Sequence, residues 1–128
     1  MRLALWPDST QAEADQLITS GSADYLILVA VREANGLGGF LEVGARTSAE
    51  GCLSSPVAYL EGIWVDRDLR RTGRGLALVN EAKRWALSRG YSELASDCDI
   101  NNNASESFHR AAGFTEVQRS VCFRIQLA

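Results

Sequence analysis

A predicted strand, a turn with two glycines and a predicted helix follow one another in the middle of the chain. This succession limits the possible folds more than any other feature. The apolar run Val57–Val65 predicts a buried strand. The turn that follows has the spacing Arg70-x-x-Gly73-x-Gly75, and a helical pattern begins at Leu76. The segment therefore predicts a strand–turn–helix unit of an α/β protein.

The turn itself predicts an anion site. A helix N-terminus carries unpaired N–H groups and the positive end of the helix dipole, and glycines allow a ligand to approach the backbone closely. Arg70, Arg71 and Arg74 add positive charge, so a pyrophosphate suits the site. An ordinary turn with solvated arginines has the same spacing, and neither a Walker A loop nor the full dinucleotide fingerprint is present.

The remaining periodic segments predict a mixed α/β layer fold in a single domain, residues 1–128. The Asn35-Gly36 pair predicts a hairpin turn between the first two strands. Strands are predicted at residues 25–31, 39–46 and 94–97, and one or two more within 114–127. Helices are predicted at residues 11–19, 76–89 and 103–112.

Composition narrows the classes of function. With 46% hydrophobic and 23% charged residues the chain suits a soluble globular protein, and its net charge of −3 argues against general nucleic-acid binding. No apolar stretch reaches the roughly 20 residues of a membrane span, and the N-terminus is too short for a secretory signal. The three cysteines lack metal-ligand spacing, which favours free thiols in a reducing cytoplasm and no bound metal.

Two carboxylates stand out by their positions in predicted strands. Glu61 interrupts an apolar strand, where a charge is costly unless it faces a cavity or a partner. Asp97 ends a short strand, and ligands of α/β proteins tend to bind at such ends. Both could bind a cationic amine, and Glu61 could accept its proton directly or through water. A solvated Glu and a turn-forming Asp are the alternatives.

Two ordered motifs carry a family resemblance. The Arg-x-x-Gly-x-Gly turn after a strand, together with residues 102–114 (NNASESFHRAAGF), resembles the GCN5-related N-acetyltransferases. Residues 54–63 (SSPVAYLEGI), with Trp6-Pro7, residues 95–97 (ASD) and residues 109–114 (HRAAGF), are similar to the aminoglycoside 6′-N-acetyltransferases of Gram-negative bacteria. This narrower resemblance covers nearly the whole chain.

The resemblance implies a central mixed, mostly antiparallel sheet flanked by helices, and transfer of an acetyl group from acetyl-CoA to an amine. It implies that the turn residues hold the pyrophosphate and that the backbone of the strand end binds the pantetheine arm and the acetyl carbonyl. These cofactor-binding residues are Ile63, Trp64 and Val65 on the strand and Arg70, Arg71, Thr72, Gly73, Arg74 and Gly75 in the turn.

The resemblance also gives roles to residues outside that segment. It places Glu61 and Asp97 in the aminoglycoside site, with Trp6 as a pocket wall and Glu116 facing the substrate. Core packing for Trp6 and a solvated position for Glu116 are the alternatives. It implies a hydrogen bond from Asn102 to coenzyme A, although a helix cap explains this residue as well. His109 stands where many members carry a Tyr that protonates the thiolate, and we do not assign it as essential.

Some positions depart from the subgroup. The relatives carry a first strand and most of a helix before the Trp-Pro pair, so we expect the N-terminal strand to be missing. Ser48 replaces a tyrosine wall and Gln118 replaces a third acid, which should weaken aminoglycoside binding. An acetyltransferase for a polyamine, a protein lysine or a peptide N-terminus therefore stays open, as does a degenerate acyl-CoA-binding module.

The C-terminal tail predicts a homodimer. Residues 114–127 alternate apolar and polar side chains, and an open strand edge favours pairing with a second chain about a two-fold axis. The resemblance points the same way, because the subgroup includes dimers that pair C-terminal strands. A monomer whose edge is covered by residues 1–8 is the alternative.

Overall fold

The computed structural model describes residues 24–34 and 36–128. The predicted helix at residues 11–19, the expected absence of a first strand and Trp6 lie outside the described residues. The chain divides into two compact units, Met1–Asp97 and Cys98–Ala128.

The first unit holds a four-stranded mixed sheet. Its strands are β1 (Leu26–Val31), β2 (Leu37–Arg46), β3 (Val57–Val65) and β4 (Leu94–Ser96), and they lie side by side in that order. β1 with β2 and β2 with β3 are antiparallel, whereas β3 with β4 is parallel. The sheet is therefore mixed and mostly antiparallel, as predicted, and each predicted strand of this unit is confirmed to within two residues.

Helix α1 (Arg74–Ser88) packs against β1, β2 and β3. Its buried side chains recur at helical spacing, which gives one apolar stripe facing the sheet; they are Leu78, Val79, Ala82 and Ala86. They complete a core whose sheet side is formed by Phe40, Leu41, Val43, Val57, Ala58, Tyr59 and Leu60. The helix ends before Gly90, whose φ of 85° is the left-handed conformation that glycine adopts at low cost.

Strand β3 carries one more residue than β2 at Glu61. Glu42 faces Gly62 and Val43 faces Leu60, so Glu61 is the extra residue of a β-bulge. On its other side β3 pairs with β4 only as far as Leu60. The bulge therefore lies where β3 begins to extend beyond β4.

The second unit contains helix α2 (Asn103–Ala111) followed by the tail. The prediction of one or two strands within residues 114–127 is wrong for the single chain, because the described tail forms no regular secondary structure. Alternating apolar residues give a segment the propensity for a strand, but a strand forms only when a neighbour supplies hydrogen bonds. The tail instead exposes Val117, Val121, Phe123, Ile125 and Leu127.

Candidate functional site

The segment between β3 and α1 has the backbone of an anion site. It starts with a single 3-10 turn, Arg67–Leu69, and continues into residues 70–75, which we call the glycine loop. Arg71 and Gly73 both have positive φ, 62° and 83°. Gly73 is the N-cap of α1, and within the described part of the chain no side chain caps this helix start. The first N–H groups of α1 are thus available to an anion.

The space next to Gly73 is open. A Cβ built on Gly73 would meet no atom of the described residues within 4 Å. Two loop arginines make local contacts: Arg70 Nε donates to the Val65 carbonyl at 2.8 Å, and Arg74 Nη1 donates to Thr72 Oγ1 at 2.9 Å. Arg70 and Arg71 are exposed and Arg74 is half-buried. The loop thus combines open space, a helix N-terminus and positive charge, which suits a phosphate group.

A cluster of ion pairs connects the residues just before the glycine loop to the end of β1. Arg32, just after β1, donates to Asp66 at 2.9 Å and to both oxygens of Asp68 at 2.8 and 2.9 Å. Trp64 Nε1 also donates to Asp66 at 2.9 Å. These bonds from Arg32 hold the pKa of Asp66 and of Asp68 below the ordinary value. Arg32 was not among the predicted site residues, because its only signal in the sequence is a charge directly after a strand.

The end of β3 has an open side. Ala58, Tyr59 and Leu60 pair with β4, whereas residues 61–65 extend past the last of these pairs. Residues 57–60 are buried and residues 61–65 are half-buried. Among residues 24–34 and 36–128 no strand pairs with Ile63, Trp64 and Val65 on the side of β4, and the Val65 carbonyl accepts from Arg70.

Four side chains form a polar cluster on the first unit: Arg46, Tyr59, Glu61 and Asp97, the 46/59/61/97 cluster. Arg46 holds Glu61 in a two-pronged ion pair, Nε to Oε1 at 2.9 Å and Nη2 to Oε2 at 2.7 Å. Its guanidinium lies 3.5 Å from the centroid of the Tyr59 ring. The Tyr59 hydroxyl donates to Asp97 Oδ2. The two predicted carboxylates thus belong to one connected cluster.

The charges of this cluster follow from its contacts. Burial, then the bond to Asp97, raises the pKa of Tyr59 well above its usual range, so the phenol stays neutral. The bond to Glu61 raises the pKa of Arg46, so the guanidinium stays charged. Two carboxylates and one guanidinium leave a net charge of one negative. Arg46 and Tyr59 were not among the predicted site residues, because Arg46 meets Glu61 only through the β2–β3 register and Tyr59 meets Asp97 only through the pairing of β3 with β4.

Three predicted site residues lie on the second unit. Asn102 caps α2, its Oδ1 accepting from the Ser105 N–H at 3.0 Å, and its predicted bond to coenzyme A stays a prediction. His109 Nδ1 donates to the Ser105 carbonyl at 2.7 Å. Glu116 pairs with Arg119 at 2.6 Å and with Arg110 at 3.8 Å, so its carboxylate takes part in ion pairs within its own unit.

As far as the structure describes the chain, metal ligands, thiols and membrane-spanning helices contribute nothing further to the candidate site. Over residues 24–34 and 36–128, no group of three His, Cys, Asp or Glu side chains could hold a metal ion. No helix among these residues is long and apolar enough to cross a bilayer. Cys52, Cys98 and Cys122 are free thiols, as predicted, and burial raises the pKa of the Cys52 thiol.

Comparisons with known proteins give one consistent result. Residues 2–114 match the family model described as the acetyltransferase (GNAT) family. An aminoglycoside N(6′)-acetyltransferase type 1 of Klebsiella aerogenes is 45% identical over 129 residues, covering 97% of this chain and 85% of that protein. The enzyme of the same name from Serratia marcescens is 39% identical, with 97% and 87% covered.

Solved structures agree with the sequence relatives. The aminoglycoside 6′-N-acetyltransferase AAC(6′)-Ih of Acinetobacter baumannii superposes with a TM-score of 0.87 at 37% identity, covering 99% of this chain and 88% of that chain. AAC(6′)-Iy, in complex with the bisubstrate analogue CoA-S-monomethyl-acetylneamine, gives a TM-score of 0.88 at 31% identity, with 98% and 87% covered. The predicted fold class is therefore confirmed.

Proposed function

Because the chain belongs to the acetyltransferase (GNAT) family, we propose that it is an aminoglycoside 6′-N-acetyltransferase. It transfers the acetyl group of acetyl-CoA, its co-substrate, to the 6′-amine of an aminoglycoside and so confers resistance. The observation that carries the proposal is the combination of an uncapped, open glycine loop with a connected pair of carboxylates on the same unit. The curated relatives at 34–45% identity share this activity in their names.

The cofactor half of the site is supported by the loop and by the end of β3. The N–H groups at the start of α1 bind the pyrophosphate, and the arginines of the glycine loop add charge. Main-chain groups of Ile63, Trp64 and Val65 hold the pantetheine arm at the open side of β3 and orient the thioester. AAC(6′)-Iy has been solved with coenzyme A, which supports coenzyme A as the ligand of this site.

The substrate half is supported by the 46/59/61/97 cluster. Glu61 and Asp97 bind and orient the ammonium group, since a desolvated cation needs a carboxylate partner. Glu61, directly or through a water, takes the proton that the amine must lose before it attacks the thioester. His109 or solvent then protonates the departing thiolate. The Asn102 Oδ1 already accepts the cap hydrogen bond of α2. Only the rest of the Asn102 amide is therefore proposed to bind coenzyme A.

The proposal is tested by thiol release. Purified protein with acetyl-CoA should release coenzyme A in the presence of kanamycin, and much more slowly with spermidine or a lysine peptide. Faster release with spermidine or the peptide would identify a different amine as the substrate. Coenzyme A binding without turnover of any of the three amines would contradict the enzyme and favour an acyl-CoA-binding module.

We further propose that residues 1–128 work as one acetyltransferase domain in the cytoplasm. The family model runs across both compact units, residues 2–114, which supports a single functional domain. Three free thiols in the described chain fit a reducing compartment.

A homodimer is the third part of the proposal. The tail exposes apolar side chains in strand-like alternation, Phe123 at 92% and Ile125 at 81%, and a second chain could cover them. Light scattering at micromolar concentration should give twice the 13.9 kDa of one chain, and Phe123→Asp should shift the mass toward the monomer. Leu53→Asp is the matched control, because Leu53 is 98% exposed but lies outside the tail. A monomeric wild-type protein would contradict the proposal.

A further inference from the structure

Arg46 and Tyr59 are the members of the 46/59/61/97 cluster that the proposed reaction does not yet use, and Arg46 is the charged one of the two. It lies at the end of β2, its side chain is 43% exposed, and its partner Glu61 is 28% exposed. Three contacts fix the guanidinium: two hydrogen bonds to Glu61 and the face of the Tyr59 ring. A two-pronged bond of this kind sets the orientation of a carboxylate as well as its charge.

Because of its location in β3, the Glu61 side chain needs a bond from another residue to fix its direction. Glu61 is the extra residue of the β3 bulge, so the regular β2–β3 ladder does not fix its direction. Arg46 instead supplies a side-chain bond from the neighbouring strand. Through the Tyr59 ring and hydroxyl the same residue is connected to Asp97. One guanidinium is therefore bonded directly to Glu61 and connected through Tyr59 to Asp97, the two acids proposed to bind the amine.

We propose that Arg46 is a positioning residue that orients the Glu61 carboxylate for the reacting amine and limits the net charge of the cluster to one negative. This inference rests on the proposed function. A carboxylate bound on both oxygens keeps one direction, which favours turnover. Its charge is also partly neutralised, which weakens the attraction for a multiply charged substrate and so assists product release.

The two effects of Arg46 predict a split between kcat and KM. Arg46→Met should lower kcat with kanamycin about tenfold, because Glu61 loses its orientation. It should also lower the KM for kanamycin about threefold to fivefold, because the cluster gains one net negative charge. Arg46→Lys keeps the charge but not the fork. Its KM should therefore stay near that of the wild type, while kcat is only partly restored.

Controls separate this role from simple structural support. Arg84→Met removes the same charge from an exposed pair with Glu81 on α1, and should change neither parameter. If Arg46→Met folds poorly, Arg46→Lys still tests the orientation of Glu61 through kcat. Unchanged kcat in both Arg46 variants, or a KM that rises in Arg46→Met, would overturn the inference.

Failure of the proposed function would appear separately, as absence of kanamycin turnover by the wild-type chain. Calorimetric titration with kanamycin then tests the charge effect of Arg46 alone. Tighter binding to Arg46→Met than to the wild type and to Arg84→Met supports the inference, and equal affinities overturn it.

Discussion

Replacing Gly73 by valine is expected to remove most of the affinity for coenzyme A. Gly73 caps α1 with a φ of 83°, and a Cβ at this position would project into open space beside the first N–H groups of the helix. That space is where the pyrophosphate is proposed to lie, so the two valine methyl groups would occupy it. Loss of the phosphate contacts should weaken binding by about a hundredfold or more, since charge-assisted hydrogen bonds are each worth roughly 1.5–3 kcal/mol. Calorimetry with coenzyme A measures the effect.

Gly90→Val is the matched control for this substitution. Gly90 has a φ of 85°, and within the described structure its Cβ position is equally open, so valine strains the backbone there to a similar extent. It follows α1 at the opposite end from the glycine loop. Normal coenzyme A binding by Gly73→Val, or an equal loss in Gly90→Val, would show that the loop is not the phosphate site.

Glu61→Gln and Asp97→Asn are each expected to lower turnover of kanamycin tenfold to a hundredfold while coenzyme A binding stays normal. The amide removes the negative charge that is proposed to bind the ammonium, and such a bond contributes roughly 1.5–3 kcal/mol. Either substitution changes the net charge of the cluster from one negative to neutral, and Glu61→Gln also removes the ion-pair partner of Arg46. The thiol-release assay gives kcat and KM, and calorimetry gives the affinity for coenzyme A.

Glu81→Gln is the control for the loss of an ion pair. Glu81 pairs with Arg84 on the exposed side of α1, as Glu61 pairs with Arg46, but it lies outside the cluster. It should leave turnover unchanged. Catalytic efficiency at the wild-type level in both Glu61→Gln and Asp97→Asn would exclude these carboxylates from the site.

Much of the first unit could be predicted from the sequence because its signals are local. The apolar run Val57–Val65 is recognisable as a buried strand without knowledge of its neighbours, and its predicted bounds are those of the structure. The stripe of apolar residues on α1 and the two glycines of the loop are local in the same way. Such patterns predict which residues form each element.

The partners of the two carboxylates in the 46/59/61/97 cluster and the ion pairs of Arg32 could not be predicted, because they depend on which residues face one another. Arg46 and Glu61 are 15 positions apart and meet only through the β2–β3 register, which shifts at the bulge. Arg32 and Asp68 are 36 positions apart. The tail was predicted wrongly for a related reason, because its alternation indicates a strand but not the neighbour that a strand requires.

The bulge at Glu61 also decides what kind of sequence change β3 can tolerate. Side chains of a strand alternate between two faces, so removing or inserting one residue reverses the face of every residue beyond that point. In β3 such a change would either remove or enlarge the bulge, or reverse the faces of Ile63, Trp64 and Val65 just before the glycine loop. Substitutions in β3 alter single contacts, whereas a change of length would displace the proposed cofactor and amine contacts together. We therefore expect β3 to tolerate replacements better than the gain or loss of a residue.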